Sequence, residues 1–475
     1  MEILKNLFKE SFGCEAVTCV RLTPAGSDRS YYRLAAADGR TAVGVVGTSL
    51  AENRAFCAIS AHLRAKGLNV PQVLCSSADG MAYLQVDLGD ESLYGALTEG
   101  RRTGVYDERS RRLLLQTISC LPALQFLGAE GFDFSVCYPQ SGFDGRGVMF
   151  DLNYFKYDYL KLTSVQFSET ALQDDFERLA GDLLSAPCPE GFMYRDFQAR
   201  NVMLCGGEPW FIDFQGGRRG PVCYDVASFV FQAAARYPAD LKRELIEAYI
   251  SAAKPYADLD TEDFRASLRL FVLFRTLQVL GAYGFRGYIE KKGHFIASVP
   301  YALENAAQLL QEGVCTPYPE LGRVLASLVA SQKKVEEPGD GRLTVEVTSF
   351  SYRIGLPQDE SGNGGGYVYD CRALENPGRY EAYKKSNGLD RNVIDFLEEE
   401  GGILVYLERV KGQVYPHIEK YIGRGFTHLM VSFGCTGGQH RSVYLAQHFA
   451  EAVAADFDVH VIVRHTAINV CRRLK

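Results

Sequence analysis

Residues 192–215 read F-M-Y-R-D-F-Q-A-R-N-V-M-L, then C-G-G, then E-P-W-F-I-D-F-Q. Met193-Tyr194 has the apolar character of a buried strand end, and Phe197–Arg200 reads as a loop. Val202–Cys205 and Pro209–Phe214 read as two further strands joined by the turn Cys205-Gly206-Gly207. A unit of this kind brings three polar residues into one small space: Asp196, Asn201 five positions on, and Asp213 twelve beyond that. Phosphoryl transfer uses such a trio. One carboxylate orients or deprotonates an attacking hydroxyl, while an amide oxygen and a second carboxylate hold the cation that bridges nucleotide phosphates. The competing reading, in which Asp196 and Asp213 are ordinary turn acids, leaves their joint spacing and the downstream G-P-V-C-Y-D unexplained.

The D-x-x-x-x-N plus I-D-F pattern resembles protein-kinase-like small-molecule kinases, in particular the aminoglycoside phosphotransferase family. The fuller spelling, R-D-F-Q-A-R-N-V-M with I-D-F-Q and G-P-V-C-Y-D-V-A-S-F, is most similar to the anomeric sugar kinases of N-acetylmuramate and N-acetylglucosamine (the AmgK group). That resemblance implies an α+β bilobal fold, with an antiparallel β N-lobe (1–90) and a mainly helical C-lobe (91–332). It implies ATP and Mg2+ as cofactors and an amino sugar as acceptor, in the setting of peptidoglycan recycling. By the same resemblance Asp196 is the base, Asn201 and Asp213 hold magnesium, and Asp225 is the buried acid bracing the loop. A kinase for another hydroxylated compound, of the aminoglycoside or choline type, is the alternative.

Taken in order, residues 17–46 have the strand and turn pattern of an N-lobe sheet. The turn A-G-S-D-R-S-Y-Y-R-L stands where such kinases cover the nucleotide, which makes Ser27 and Arg29 candidate phosphate contacts. No lysine occurs between Lys9 and Lys66, so the third strand lacks the usual ammonium and phosphate falls to magnesium, backbone groups and Arg29 or Arg33. Ala51–Lys66 reads as a helix with Glu52 as a solvated first-turn acid. Met81–Asp90 is similar to a hinge, with groups from Gln85 to Asp87 at the adenine edge. Arg111–Leu127 and Ala171–Ser185 have helical periodicity. Between them V-M-F-D-L-N-Y-F-K-Y-D-Y-L is similar to the acid-plus-aromatic segment lining the sugar pocket of those kinases, which implies Asp151 and Tyr154 as sugar contacts, with Arg200 from the catalytic loop; an aromatic helix face packed on the core is the preferred reading of the residues alone. Four helices follow, near 240–253, 261–283, 300–312 and 320–331, and R-T-L-Q-V-L-G-A-Y-G-F-R-G is again similar to the sugar kinases. Residues 333–342 read as a linker.

From residue 343 a second pattern begins: a strand, the glycine loop S-G-N-G-G-G, the strand Y-V-Y-D-C-R, helices near 390–400 and 414–422, and then T-H-L-M-V-S-F-G-C-T-G-G-Q-H-R-S-V-Y-L-A. Strand, glycine loop and helix aim free N–H groups and a positive helix end at one point, which makes an anion site of Cys435, Thr436, Gly437, Gly438, Gln439, His440, Arg441 and Ser442. The expected architecture is a small α/β domain, 343–475. The segment, with T-S-F-S-Y-R-I-G-L-P and D-C-R-A-L-E-N-P, resembles the C-terminal domain of the RNase adapter RapZ. That implies sensing of a sugar phosphate such as glucosamine-6-phosphate, with Asp370, Arg372 and Asn376 completing the pocket, and an association with RNA. Charge disfavours the RNA: residues 343–475 carry 15 Lys+Arg against 16 Asp+Glu. Cys435, Arg441 and Ser442 also have the spacing of a tyrosine phosphatase loop. Gly434 stands where those enzymes carry histidine, and a binding loop is the preferred reading.

Composition agrees with an ordinary globular chain of two or three domains: 475 residues, 47% apolar, 23% charged and net charge −7. The start M-E-I-L-K-N-L-F-K-E lacks a signal-peptide core, no apolar run reaches membrane-span length, and thirteen cysteines show no C-x-x-C pairing. The expectation is a reduced cytoplasmic protein with no membrane partner and an oligomeric state that sequence leaves open. Six of eight histidines follow residue 400, a further sign that the C-terminal part is built differently.

Overall fold

The structure is a computed structural model describing residues 1–22, 29–163, 165–290, 292–296, 298–331, 341–357, 359, 366–384, 386–468 and 470–475. Ser27, the bulk of the second glycine loop and nearly all of the expected linker lie outside the described residues. The chain divides into two compact units, 1–160 with 167–329, and 330–475 with 161–166.

In the first unit, β1 (Thr18–Arg21), β2 (Ser30–Ala35), β3 (Thr41–Val46), β4 (Val73–Ser76) and β5 (Ala82–Val86) form an antiparallel sheet in the order β1-β2-β3-β5-β4. The first helix, Glu2–Phe12, buries Leu4, Leu7 and Phe8 against Leu34, Ala42 and Leu84 of that sheet. Gly44 permits this approach, because a Cβ there would stand 2.9 Å from a Leu4 methyl. The helix Leu50–Ala65 is capped by the Ser49 hydroxyl, which accepts the Glu52 N–H.

The rest of the unit is mainly helical, with two small antiparallel ladders: β6 (Glu190–Met193) with β9 (Arg218–Pro221), and β7 (Val202–Cys205) with β8 (Glu208–Phe211). The expected strand to Phe214 ends early at Phe211, because Asp213 adopts a left-handed φ of 68° that no strand accommodates. The helix Thr261–Gly284, continuing through a π-turn (Phe285–Ile289), is long and apolar enough to cross a bilayer, which corrects the expectation that no run has that length. Its apolar residues, Phe264, Leu268, Phe271, Phe274, Leu277 and Leu280, are buried in the unit's core. Gly281 and Gly284 bring it to backbone contact with the helix Gly145–Asp158: a Cβ on Gly284 would lie 2.0 Å from the Asp158 carbonyl oxygen.

The second unit is a five-stranded sheet in the order β11-β12-β10-β13-β14, from β10 (Thr344–Ser351), β11 (Tyr367–Asp370), β12 (His428–Cys435), β13 (His460–His465) and β14 (Val470–Arg473). The first four are parallel, and β14, which the sequence did not suggest, is an antiparallel edge. The expected helix 414–422 begins at Gly402, since Ile403, Leu407 and Val410 extend the same buried stripe as Val414 and Ile418. Chain leaves β10 toward β11 and leaves β12 toward β13 on the other side, so the topological switch point lies between β10 and β12. Their carboxyl ends open the crevice where such sheets bind ligands.

Candidate active site and a second anion-binding loop

The stretch 192–215 is fixed from beneath by Asp225, which is fully buried on the helix Cys223–Val230. Its two oxygens accept the N–H groups of Tyr194 and Arg195, each at 2.8 Å, and Gln125 Nε2 adds a third donor at 3.0 Å. Burial pushes the Asp225 carboxyl up to about 6, against the pull of these donors. The expected brace is therefore present, and it holds Arg195 in a left-handed conformation, φ 76°. Asn201 Nδ2 donates to the Asp196 carbonyl at 2.8 Å, tying the ends of the D-x-x-x-x-N loop together. The Ile212 N–H donates to the Asn201 carbonyl, which brings Asp213 to the same place.

Asp213 is partly buried and accepts Gln215 Nε2 at 2.8 Å. Burial, and after it the charge of Asp196, push its carboxyl up. Asp213 and the Asn201 amide oxygen are hard oxygen donors of the kind that would suit magnesium, and a divalent cation there would offset that penalty. Among the described residues no three carboxylates, imidazoles or thiols cluster to hold a metal alone. Two donors here leave the remaining positions to phosphate and water.

The N-lobe departs from the sequence reading at Glu52. Instead of a solvated acid, it is the ion-pair partner of Arg29, whose side chain is almost wholly buried at the head of β2. Arg29 also acts electrostatically on Asp213, so the pair lies toward that carboxylate. One link is aromatic: Phe214, next to Asp213, stacks on Phe56 of the Glu52 helix with ring centroids 4.7 Å apart. At the hinge, Gln85 lies in β5 between β3 and β4. The Asp87 carboxylate is bound by Arg33, which also takes Asp90, and by the Gly89 N–H. Asp87 and Arg33 therefore brace one another.

Asp196 opens onto a cleft of about 1130 Å3 that is also lined by Asp151, Tyr154 and Arg200. The Asp151 carboxylate is engaged by Arg195 Nη2, at 3.1 and 3.3 Å. Sequence reasoning missed Arg275 and Gln278, although R-T-L-Q held both. Arg275 donates to the Tyr224 hydroxyl at 2.8 Å, to Ser228 Oγ at 2.9 Å and to Gln278 Oε1.

In the second unit the loop 436–440 follows β12 at the switch point, and the helix Arg441–Asp456 follows the loop. Ser351 Oγ, at the end of β10, donates to the Thr436 carbonyl at 2.8 Å. Gly438 has φ 69° and lies against Ser351 and Ala467, so only glycine fits there. Burial would raise the Cys435 thiol, but hydrogen bonds from Ser442 and Gly438, with Arg441 nearby, outweigh it and the thiol is lowered. It is 2% exposed. Arg441 Nη1 donates to the carbonyls of Arg372 and Leu374, tying that segment to the loop. His440 Nε2 lies 3.0 Å from the Tyr383 carbonyl oxygen. Asp370 and Arg372 pair with one another, and Asn376 Oδ1 caps the turn at Gly378. Gln439 supports the loop through its carbonyl, which accepts the Gly388 N–H.

Residues 343–469 match the RapZ C-terminal domain, and residues 20–265 match the phosphotransferase enzyme family. A nucleotide-binding protein of Ruegeria sp. is 35% identical over 138 residues, 29% of this chain and 44% of its own length. Another from Thiobacillus denitrificans is 31% identical over 187 residues, 38% of this chain and 64% of its own. The chain thus spans less than two thirds of either relative. Amicoumacin kinase hAmiN, solved in complex with AMP-PNP, Ca2+ and Ami, aligns at 11% identity and TM-score 0.47 over 64% of this chain and 92% of its own. With more than half of its length matched by one family model, the chain belongs to the phosphotransferase enzyme family.

Proposed function

We propose that the first unit is a magnesium- and ATP-dependent kinase that phosphorylates an amino sugar, N-acetylmuramate or N-acetylglucosamine, at the anomeric hydroxyl. The observation that supports this most is the placement of Asp196 at the mouth of the 1130 Å3 cleft, beside Asn201 and Asp213. Asp196 accepts the proton of the acceptor hydroxyl as it attacks, and the Asp225 brace keeps that carboxylate aimed into the cleft. Asn201 and Asp213 hold magnesium, which when bound neutralises charge on the transferring phosphoryl group. Arg29, held by Glu52, supplies the cation that a strand lysine supplies in other kinases. ADP release across a panel of sugars and alcohols tests the reading, and absence of turnover with every N-acetylated sugar removes the sugar claim.

For the second unit we propose a sugar-phosphate site at the 436–440 loop, with glucosamine-6-phosphate as its ligand. The support is the glycine loop and helix start at the switch point of a parallel sheet. Calorimetric titration of glucosamine-6-phosphate into the intact chain tests it, with the kinase rate recorded in parallel. Binding with a changed rate favours feedback, and binding with an unchanged rate favours an adapter role. No heat of binding with any sugar phosphate ends the sensor idea.

A further inference from the structure

The ionisable lining of the cleft is unbalanced: seven arginines against two aspartates, with no lysine or glutamate. Asp151 is already bound by Arg195, and Arg102 pairs with Glu99 at the rim. Arg200 acts on both Asp213 and Tyr283, so its charge is shared between the two sides of the cleft. Four arginines remain on the acceptor side with no carboxylate at ion-pair distance among the described residues: Arg101, Arg236, Arg275 and Arg286.

Their direct contacts are with neutral groups, while Arg275 acts on Asp225 and Arg286 on Glu290 from beyond ion-pair distance. Arg101 lies 3.4 Å from the centre of the Tyr94 ring and donates to the Tyr94 carbonyl. Arg236 donates to the Arg102 carbonyl and covers the Tyr301 ring. Arg286 projects from the π-turn beside Phe295. Arg275 is the deepest, at 8% exposure, and its Nε has no partner. The buried Asp225 acts on it without forming an ion pair, so its charge is only partly compensated. Four guanidinium groups in one cleft, three of them partly exposed, repel one another and concentrate ions of opposite sign.

We infer that the acceptor carries an anionic arm, a carboxylate or a phosphate, in addition to the hydroxyl that Asp196 deprotonates. Cationic acceptors of the choline or aminoglycoside type are rejected by the same charges. The inference rests on the kinase reading above and narrows its substrate class.

The experiment compares kcat/KM for sugars that differ only in the arm: N-acetylmuramate (carboxylate), N-acetylglucosamine 6-phosphate (phosphate) and N-acetylglucosamine (neutral). Glycerate and choline serve as a non-sugar anion and a cation. At least one anionic sugar should exceed the neutral one by roughly tenfold or more, the size expected of a charge-assisted contact. Which arm wins identifies its source. In Arg101→Gln and Arg286→Gln, both at partly exposed positions, the anionic-to-neutral ratio should fall by a similar factor. Equal rates for neutral and anionic sugars, or a ratio unchanged in both variants, overturns the inference while leaving the sugar kinase intact. Turnover of glycerate alone keeps the anionic arm and removes the sugar. If no compound is turned over, calorimetric titration of the same set decides, and an anionic sugar that binds no more tightly than N-acetylglucosamine overturns it.

Discussion

Glu52 on the helix Leu50–Ala65 is the ion-pair partner of Arg29 at the head of β2. The pair joins the sheet to the helix whose Phe56 stacks on Phe214, so a change in either lobe reaches Asp213 through contacting groups.

Glu52→Gln removes the charge that holds Arg29. The KM for ATP should rise by about tenfold, a charged hydrogen bond of roughly 1.5 kcal/mol, with acceptor KM little changed. Steady-state kinetics with each substrate varied in turn checks this, and an unaltered ATP KM argues that Arg29 does not touch phosphate.

Asp196→Asn should lower kcat by about 10²–10⁴-fold, the usual worth of a general base, while nucleotide affinity measured by fluorescent-ATP titration is retained. Asp213→Asn should weaken binding of the magnesium–nucleotide complex as well. Wild-type rates in both variants would show that the chemistry lies elsewhere.

Asp225 retains its proton in the folded state up to about pH 6, against 3.8 for a free side chain. Its contribution to stability is therefore complete below pH 3.8 and is lost as pH rises through 6. The span is on the order of 3 kcal/mol. Trp210 is the single tryptophan and lies in β8, so its fluorescence reports unfolding of the first unit. The stability of wild type relative to Asp225→Asn should decline between pH 4 and 7, and a flat difference contradicts the assignment.

His465 behaves oppositely. Burial and the charge of Arg472 lower it to about 4, and it is held between Ser349 Oγ at 3.0 Å and Gln447 Oε1 at 3.1 Å. Its share of stability is complete above pH 6.5 and is lost as pH falls toward 4, on the order of 3 kcal/mol. Hydrogen exchange of peptides from residues 343–475 should accelerate over that window in wild type and less so in His465→Gln.

Gly284→Ala places a methyl against the Asp158 carbonyl and should destabilise the first unit by about 3 kcal/mol, as overpacking against backbone does. Gly181→Ala, in a helix with open space around it, should instead stabilise by up to about 1 kcal/mol. Thermal unfolding of the two variants provides the contrast, and similar shifts in both would contradict the close helix crossing.

Local patterns were legible in the sequence, and assemblies of distant residues were not. Asp196, Asn201 and Asp213 lie within one short stretch, so spacing alone anticipated their meeting, and Asp225 followed from the same motif. Glu52 was misread because its partner is an arginine on another strand where a lysine was sought. The arginine cleft gathers Arg101, Arg195 and Arg236 with Arg275 and Arg286 of one helical stretch, and no window of sequence contains that sum. In the second unit the α/β class was readable from strand, loop and helix order. Its edge strand β14 was not, because C-R-R-L-K has the polarity of a tail.

Arg195 and Asp213 both have positive φ, 76° and 68°, without being glycine. A left-handed residue with a Cβ costs roughly 1 kcal/mol or more, so at these two places the fold holds an unfavourable backbone that sets the direction of a side chain. Glycine at either position would relax the chain and remove a working group. Thermostability and turnover are thus opposed at these two residues, and selection for a hardier protein alone would erode this loop first.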